Sequence, residues 1–189
     1  MEDLGTTPQE RDLLRMLLSY GHERILVPFQ NEDGTTSEDE ISVAELLFQL
    51  LAVDDISFDE PLFQAIYLDY RHNTNLGEPV QGSRYTGHSN ESWRGLSIDL
   101  LTEKHQLSPN WKDRHKIHVT RENELLLDAV EEGVDILKER RVDRMIREKQ
   151  EQLRTITDEV ELMAVLQEIQ ALNEVKKALA KRTGRVIVG

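Results

Sequence analysis

Apolar residues recur about once per helical turn through the C-terminal third of the chain, between residues 121 and 182. This stretch contains no proline and a single glycine, Gly133. The pattern predicts two long helices, over 122–155 and 158–182, with the second folding back on the first. Asp158 and Glu161 form a capping sequence at the start of the second helix. The periodic residues are Leu126, Val130, Leu137, Met145, Ile146 and Leu153 in the first helix, and Val160, Met163, Leu166, Ile169, Leu172, Val175 and Leu179 in the second.

The length of these helices limits how they can be buried. At a rise of about 1.5 Å per residue, they would be about 50 Å and about 38 Å long. The first is too long for one compact domain to cover, so we expect it to connect two bodies. Gly133 leaves open whether this helix is continuous or kinked, since one interior glycine costs only about 1 kcal/mol. A two-helix hairpin buries little by itself, so we expect it to dock on this chain or on a partner.

Four shorter helices are predicted in the preceding part of the chain, at about 7–20, 42–53, 61–72 and 91–101. Three other segments lack helical periodicity. The apolar segment 25–29 fits either a strand or a buried connection, 30–40 is predicted as an exposed acidic loop, and 73–89 as an irregular loop. The predicted fold class is all-α: a helical bundle over residues 1–119, followed over 120–189 by the long connecting helix and the C-terminal helical hairpin.

The charge is unevenly distributed between these two regions. The 189 residues include 36 acidic and 23 basic side chains, for a formal net charge of −13. Residues 1–119 account for −11 of it, which disfavours contact with phosphate backbones. Residues 120–189 contain no aromatic side chain and so lack stacking platforms for single strands. We expect no direct nucleic-acid binding.

The composition also indicates in which cellular compartment the protein is located. The chain has no cysteine, which excludes disulfides and thiolate zinc sites and fits a reducing environment. Its N-terminus lacks the basic and apolar regions of a signal peptide, and no apolar run approaches the roughly 18–20 residues of a membrane span. We expect a soluble, cytoplasmic protein with no membrane contact.

No catalytic constellation stands out in the sequence. His115, His118 and Glu122 have the spacing of metal ligands on a helix face, but a solvated connector produces the same combination, and we favour the connector. The glycine-containing segment 82–87 lacks the lysine and the strand–helix context of a phosphate loop. The prediction is therefore no catalytic residue, no metal site and no cofactor in this chain.

A family resemblance enters at the last predicted helix. Residues 172–182 (LNEVKKALAKR), 162–168 (LMAVLQE) and 107–111 (LSPNW) resemble the C-terminal region of bacterial replicative DNA primases of the DnaG type. The likeness extends, with weaker definition, over most of the chain from about Thr7. It implies that the chain is a fragment without activity of its own. The zinc-binding domain and the magnesium-dependent polymerase domain of the full-length nucleotidyltransferase would lie outside it.

The resemblance implies a role in the bacterial cytoplasm, at the replication fork. The chain would bind the N-terminal region of the hexameric replicative helicase and recruit RNA primer synthesis, with the hairpin providing most of the affinity and the bundle modulating the helicase. In some members a basic patch binds the tail of single-stranded-DNA-binding protein; the matching residues here are Arg94, Lys112, Arg114 and Lys116. The implied helicase contacts are Leu172, Asn173, Glu174, Lys177, Leu179, Lys181 and Arg182, with Arg154 and Ile156 at the hairpin tip.

Two alternatives stay open at this point. The first is a self-associating helical structural or adaptor protein, in which the hairpins of two copies pair into a four-helix bundle. Its mass would depend on concentration without any partner. The second is an enzyme that holds a metal ion through His115, His118 and Glu122.

Overall fold

The structure, a computed structural model, describes residues 5–31, 33–77, 80–102 and 122–182. These residues form seven helices and one two-stranded sheet. The chain divides into two compact units, which we call the larger unit (10–131) and the hairpin unit (1–9 with 132–189). The helices are α1 (Thr7–Tyr20), α2 (Val43–Val53), α3 (Pro61–Asn75), α4 (Ser83–Thr86), α5 (Glu91–Thr102), α6 (Glu122–Leu153) and α7 (Glu159–Arg182), and the strands are β1 (Arg24–Gln30) and β2 (Thr36–Ser42).

The predicted all-α class is confirmed only in its predominance of helix, because β1 and β2 form an antiparallel sheet with seven paired positions. The acidic loop predicted over 30–40 is wrong: it is a tight turn followed by β2. In the turn, Gly34 adopts φ +82°, and the Asn31 amide donates to the Thr35 carbonyl at 2.8 Å. Periodicity misses β2 because no residue of this strand is fully buried, so no apolar alternation is needed.

The larger unit is built around the apolar faces of α1, α2 and α3, and the predicted positions of these helices are confirmed. The predicted capping box at α2 is present: the Ser42 amide donates to Glu45 Oε2 at 2.6 Å, and the Glu45 amide donates to Ser42 Oγ at 3.1 Å. The buried carboxylate of Glu10 accepts hydrogen bonds from the Asp59 and Glu60 amides at 2.9 and 3.0 Å. Glu10 therefore supplies hydrogen-bond acceptors to the two amides that precede α3, although it is distant from them in the sequence.

The irregular loop predicted over 73–89 is wrong in two places, since α3 continues to Asn75 and a short helix, α4, lies at Ser83–Thr86. Tyr85 in α4 is fully buried, and its hydroxyl donates to Asp69 Oδ2 at 2.9 Å. Its ring stacks on Tyr70 at 5.9 Å between centroids. Tertiary contact with α3 thus orders a segment that has no local periodicity.

Both long helices that the periodicity predicts are present as α6 and α7. Helix α6 continues through Gly133 without interruption, so of the two possibilities the continuous helix is the one observed. Asp158 Oδ2 accepts the Glu161 amide at 2.9 Å, which confirms the predicted cap of α7. None of the helices in the described ranges is long and apolar enough to cross a membrane. The predicted domain boundary at residue 119 stays a prediction.

Candidate partner-binding surface

Helix α7 has two rows of residues with opposite surroundings. The inner row packs on α6 and alternates spacings of three and four residues, as coiled-coil seams do. Its member Leu179 clusters with Val142 and Ile146 of α6, and two half-buried members, Ile169 and Leu172, pack on this cluster. Heptad-type spacing along α7 therefore determines which face meets α6. The inner row comprises Leu162, Val165, Ile169, Leu172, Lys176 and Leu179.

Ion pairs connect α6 and α7 in their antiparallel register. Three such pairs are spaced along the hairpin within the described residues. Their α6 members come progressively earlier in the sequence as their α7 members come progressively later, as expected for antiparallel helices. Asp135 is 5% exposed, so water screens its pair less than a surface pair. The pairs are Lys149 Nζ to Glu168 Oε2 at 2.5 Å, Lys176 Nζ to Asp143 Oδ1 at 2.6 Å, and Arg182 Nε to Asp135 Oδ2 at 3.2 Å.

Three residues of the predicted helicase contact lie in or beside this inner packing. Leu179 is 8% exposed and Leu172 is half-buried, so both stabilise the hairpin itself. Arg182 reaches Asp135 across the hairpin. A partner would meet little of these two leucines without separating α6 from α7. Their predicted role in binding stays a prediction.

The other predicted contacts on α7 are exposed. Asn173 Nδ2 donates to the Ile169 carbonyl at 2.9 Å, and Lys177 Nζ pairs with Glu174 Oε1 at 2.8 Å. Lys181 is exposed in the last turn of the helix. These four side chains are accessible, and they are polar or charged.

The second row of α7, the outer row, was not singled out as a site by the sequence pattern. It also advances by three or four residues at each step, on the side of α7 that faces away from the inner row, and contains no charged side chain. Val160 is 78% exposed and Val175 is 47% exposed, and Met163, which flanks the row, is 53% exposed. The signal in the sequence was that apolar residues of α7 occupy more positions than one packed face requires. The outer row comprises Val160, Ala164, Gln167, Ala171, Val175 and Ala178.

The outer row begins beside the hairpin tip. A shallow groove of about 420 Å³ lies there, lined by α7 residues from Glu159 to Gln167 that include Val160 and Met163. The two tip residues of the predicted contact lie just before it. Arg154 is exposed and donates to Glu151 Oε2 at 2.7 Å, and Ile156 is half-buried.

The predicted basic patch is described only in part. Arg94 lies on α5 and donates to the His88 carbonyl at 3.0 Å, beside the stacked rings of His88 and Trp93. The other three members, Lys112, Arg114 and Lys116, lie outside the described residues. The patch stays a prediction.

The described residues contain no group of three or more histidine, aspartate or glutamate side chains arranged to hold a metal ion. His115 and His118, two of the three candidate ligands, lie outside the described ranges. Burial raises the pKa of Tyr70 to about 12, and burial together with the hydrogen bond to Asp69 raises the pKa of Tyr85. These phenols stay protonated and serve as structural hydrogen-bond donors in the core.

A family model described as a domain of unknown function, DUF8430, matches residues 2–186. The chain belongs to the DUF8430 family. No curated protein and no solved structure matches the sequence. The DUF8430 match covers residues of both units.

Proposed function

We propose that this chain is a non-catalytic protein-binding domain whose outer row docks on a helix of a partner protein. The observation that supports it is the row itself, an uncharged face about five turns long that remains exposed while the opposite face packs on α6. Small residues such as Ala164 and Ala171 allow the backbone of a second helix to approach closely. Recognition of one helix face by another needs residues at this spacing.

For the partner, we propose the N-terminal region of the hexameric replicative helicase. The support is the resemblance of residues 162–168 and 172–182 to the C-terminal region of DnaG-type primases, and these residues form most of α7. On this proposal, primer synthesis belongs to domains outside the chain, and the hairpin recruits them to the fork. The zinc and magnesium of the full-length primase would belong to those domains as well.

The experiment is a calorimetric titration of the cognate helicase with wild-type chain and with the double variant Ala164→Arg with Ala171→Arg. Both positions are exposed, so we expect an unchanged melting temperature. Two arginines in a close helix contact should weaken binding by at least about 2 kcal/mol, or about 30-fold. The matched control places the same charges on exposed positions of α6, Gln150→Arg with Gln152→Arg. Equal affinity of all three proteins would contradict the assignment of the outer row.

The second candidate function is self-association through the same row. An uncharged, nearly regular row can pair with itself around a two-fold axis, which would produce a four-helix bundle from two hairpins. Light scattering at several concentrations separates the two functions. A dimer that Ala164→Arg with Ala171→Arg dissociates would favour self-association over a helicase contact.

A further inference from the structure

Most side chains of the sheet in the larger unit are exposed within the part of the chain that the structure describes. Ile25 is the one buried residue in the two strands, both of which are described in full. Leu26 and Phe29, on opposite faces of the sheet, are 41% and 46% exposed. A two-stranded sheet with most of its side chains exposed is marginal in water by itself, and a third strand would stabilise it.

The two edges of this sheet differ in their capacity to accept a strand. On β1, Pro28 has no amide hydrogen, which blocks pairing at the centre of that edge. On β2, the hydrogen bond from the Asn31 amide to Thr35 sets the alternation of the ladder. The residues of β2 whose backbone groups face away from β1 are then Thr36, Glu38 and Glu40. The Arg24 guanidinium donates to the Glu40 carbonyl, so Thr36 and Glu38 are the positions left for a third strand. Among the described residues, β2 pairs with β1 alone.

The side chains of β2 indicate what would bind there. Glu38, Asp39 and Glu40 are consecutive and exposed. Arg24 Nε lies 3.5 Å from Glu40 Oε2, while no ion pair engages Glu38 or Asp39 within the described part of the chain. The open edge is therefore strongly acidic and complements a basic strand.

We propose that β2 binds an extended, lysine- or arginine-rich segment of a partner protein by strand addition. Backbone hydrogen bonds to Thr36 and Glu38 would provide affinity, and cross-strand pairs with the acidic side chains would provide specificity. A second copy of this chain fits poorly, because pairing two β2 strands sets acidic side chains opposite one another. This site lies in the larger unit and is independent of the outer row of α7.

The first test uses the wild-type chain and a short peptide of alternating lysine and valine, with an alternating glutamate–valine peptide as control. Hydrogen exchange of backbone amides is followed by NMR. We expect the lysine peptide to slow exchange at Thr36 and Glu38 by at least about tenfold, because each gains a hydrogen-bond acceptor. Unchanged exchange at both amides, or equal protection by the glutamate peptide, would overturn the proposal.

Variants separate the backbone contribution from the charge contribution. Thr36→Pro removes an outward amide without changing charge, and we expect about two- to tenfold weaker peptide binding by fluorescence anisotropy. Glu38→Gln with Asp39→Asn should weaken binding and reduce its dependence on salt, whereas the exposed control Glu148→Gln should not. Circular dichroism verifies that each variant is folded.

Wild-type affinity in Glu38→Gln with Asp39→Asn would overturn the assignment of a basic partner. A dimer of the chain alone that Thr36→Pro disrupts would replace the peptide with a second copy as the occupant.

Discussion

Glu10 is a carboxylate with no solvent exposure, and two backbone amides compensate its burial. We predict that Glu10→Gln lowers the free energy of unfolding by about 1–3 kcal/mol, because the new amide group presents a donor where an acceptor is needed. Chemical denaturation measures the change. Glu148→Gln, an exposed substitution on α6, serves as the control and should remain within about 0.5 kcal/mol of wild type. Equal stability of both variants would mean that the amides of Asp59 and Glu60 do not depend on Glu10.

Gly21 has no room for a side chain, whereas Gly95 does. A Cβ on Gly21 would overlap the Leu17 carbonyl and the Tyr70 hydroxyl, but one on Gly95 would meet open space. We predict that Gly21→Ala destabilises the larger unit by about 1–3 kcal/mol through overpacking. Gly95→Ala, in helix α5, should instead stabilise it by about 0.5–1 kcal/mol through helix propensity. The melting temperature should therefore fall in Gly21→Ala and rise in Gly95→Ala. A change of the same sign in both variants would contradict the packing around Gly21.

The ionisation of Tyr70 makes the free energy of unfolding depend on pH in the alkaline range. Its pKa is raised from 10.0 to about 12 by burial, while in the unfolded chain the phenol ionises near its ordinary value. The unfolded state therefore binds fewer protons than the folded state between these values, and the free energy of unfolding falls as pH rises from about 10 to about 12. Denaturation at stepped pH, with tyrosinate absorbance recorded in parallel, measures this. Stability that is constant across this window would contradict the burial of the phenol.

The two rows of α7 should respond differently to loss of an apolar side chain. Leu179→Ala removes a buried member of the inner row and should cost about 2–4 kcal/mol. Val160→Ala removes an exposed member of the outer row and should change stability by less than about 0.5 kcal/mol. Denaturant unfolding of both variants checks this. A large loss for Val160→Ala would mean that the outer row is already covered by another part of the protein.

The helices were predictable from sequence where a repeated local signal exists. Periodicity gave α6 and α7, and capping residues such as Ser42 and Asp158 gave the starts of α2 and α7. Strand β2 was not predictable in this way, because an exposed acidic strand has neither apolar alternation nor a breaker at each end. Helix α4 depends on the distant pair of Tyr85 with Asp69, which no local pattern reveals.

The candidate surface was predictable only to the level of the helix. Sequence reasoning pointed to α7, but it could not divide apolar residues between the packed and the exposed face without the register to α6. Leu172 and Leu179 belong to the packed face, whereas Val160 and Met163 remain exposed. The apolar cluster between α6 and α7 occupies the packed face, and ion pairs such as Lys176 with Asp143 accompany it across the hairpin.

At the scale of the whole chain, each of the two units presents its own proposed binding surface. The hairpin unit presents an uncharged outer row, and the larger unit presents an acidic strand edge. Different partners would recognise these surfaces, the first by helix packing and the second by strand addition. Loss of one contact should therefore leave the other measurable in the same protein.

The most direct test of the proposed function is co-elution with the cognate replicative helicase. Size exclusion with light scattering monitors it. We predict that the chain alone elutes as a monomer and joins the helicase hexamer when the two are mixed. The variant Ala164→Arg with Ala171→Arg should remain a folded monomer and elute separately from the helicase. A wild-type chain that forms a stable dimer and elutes apart from the helicase would contradict the proposal.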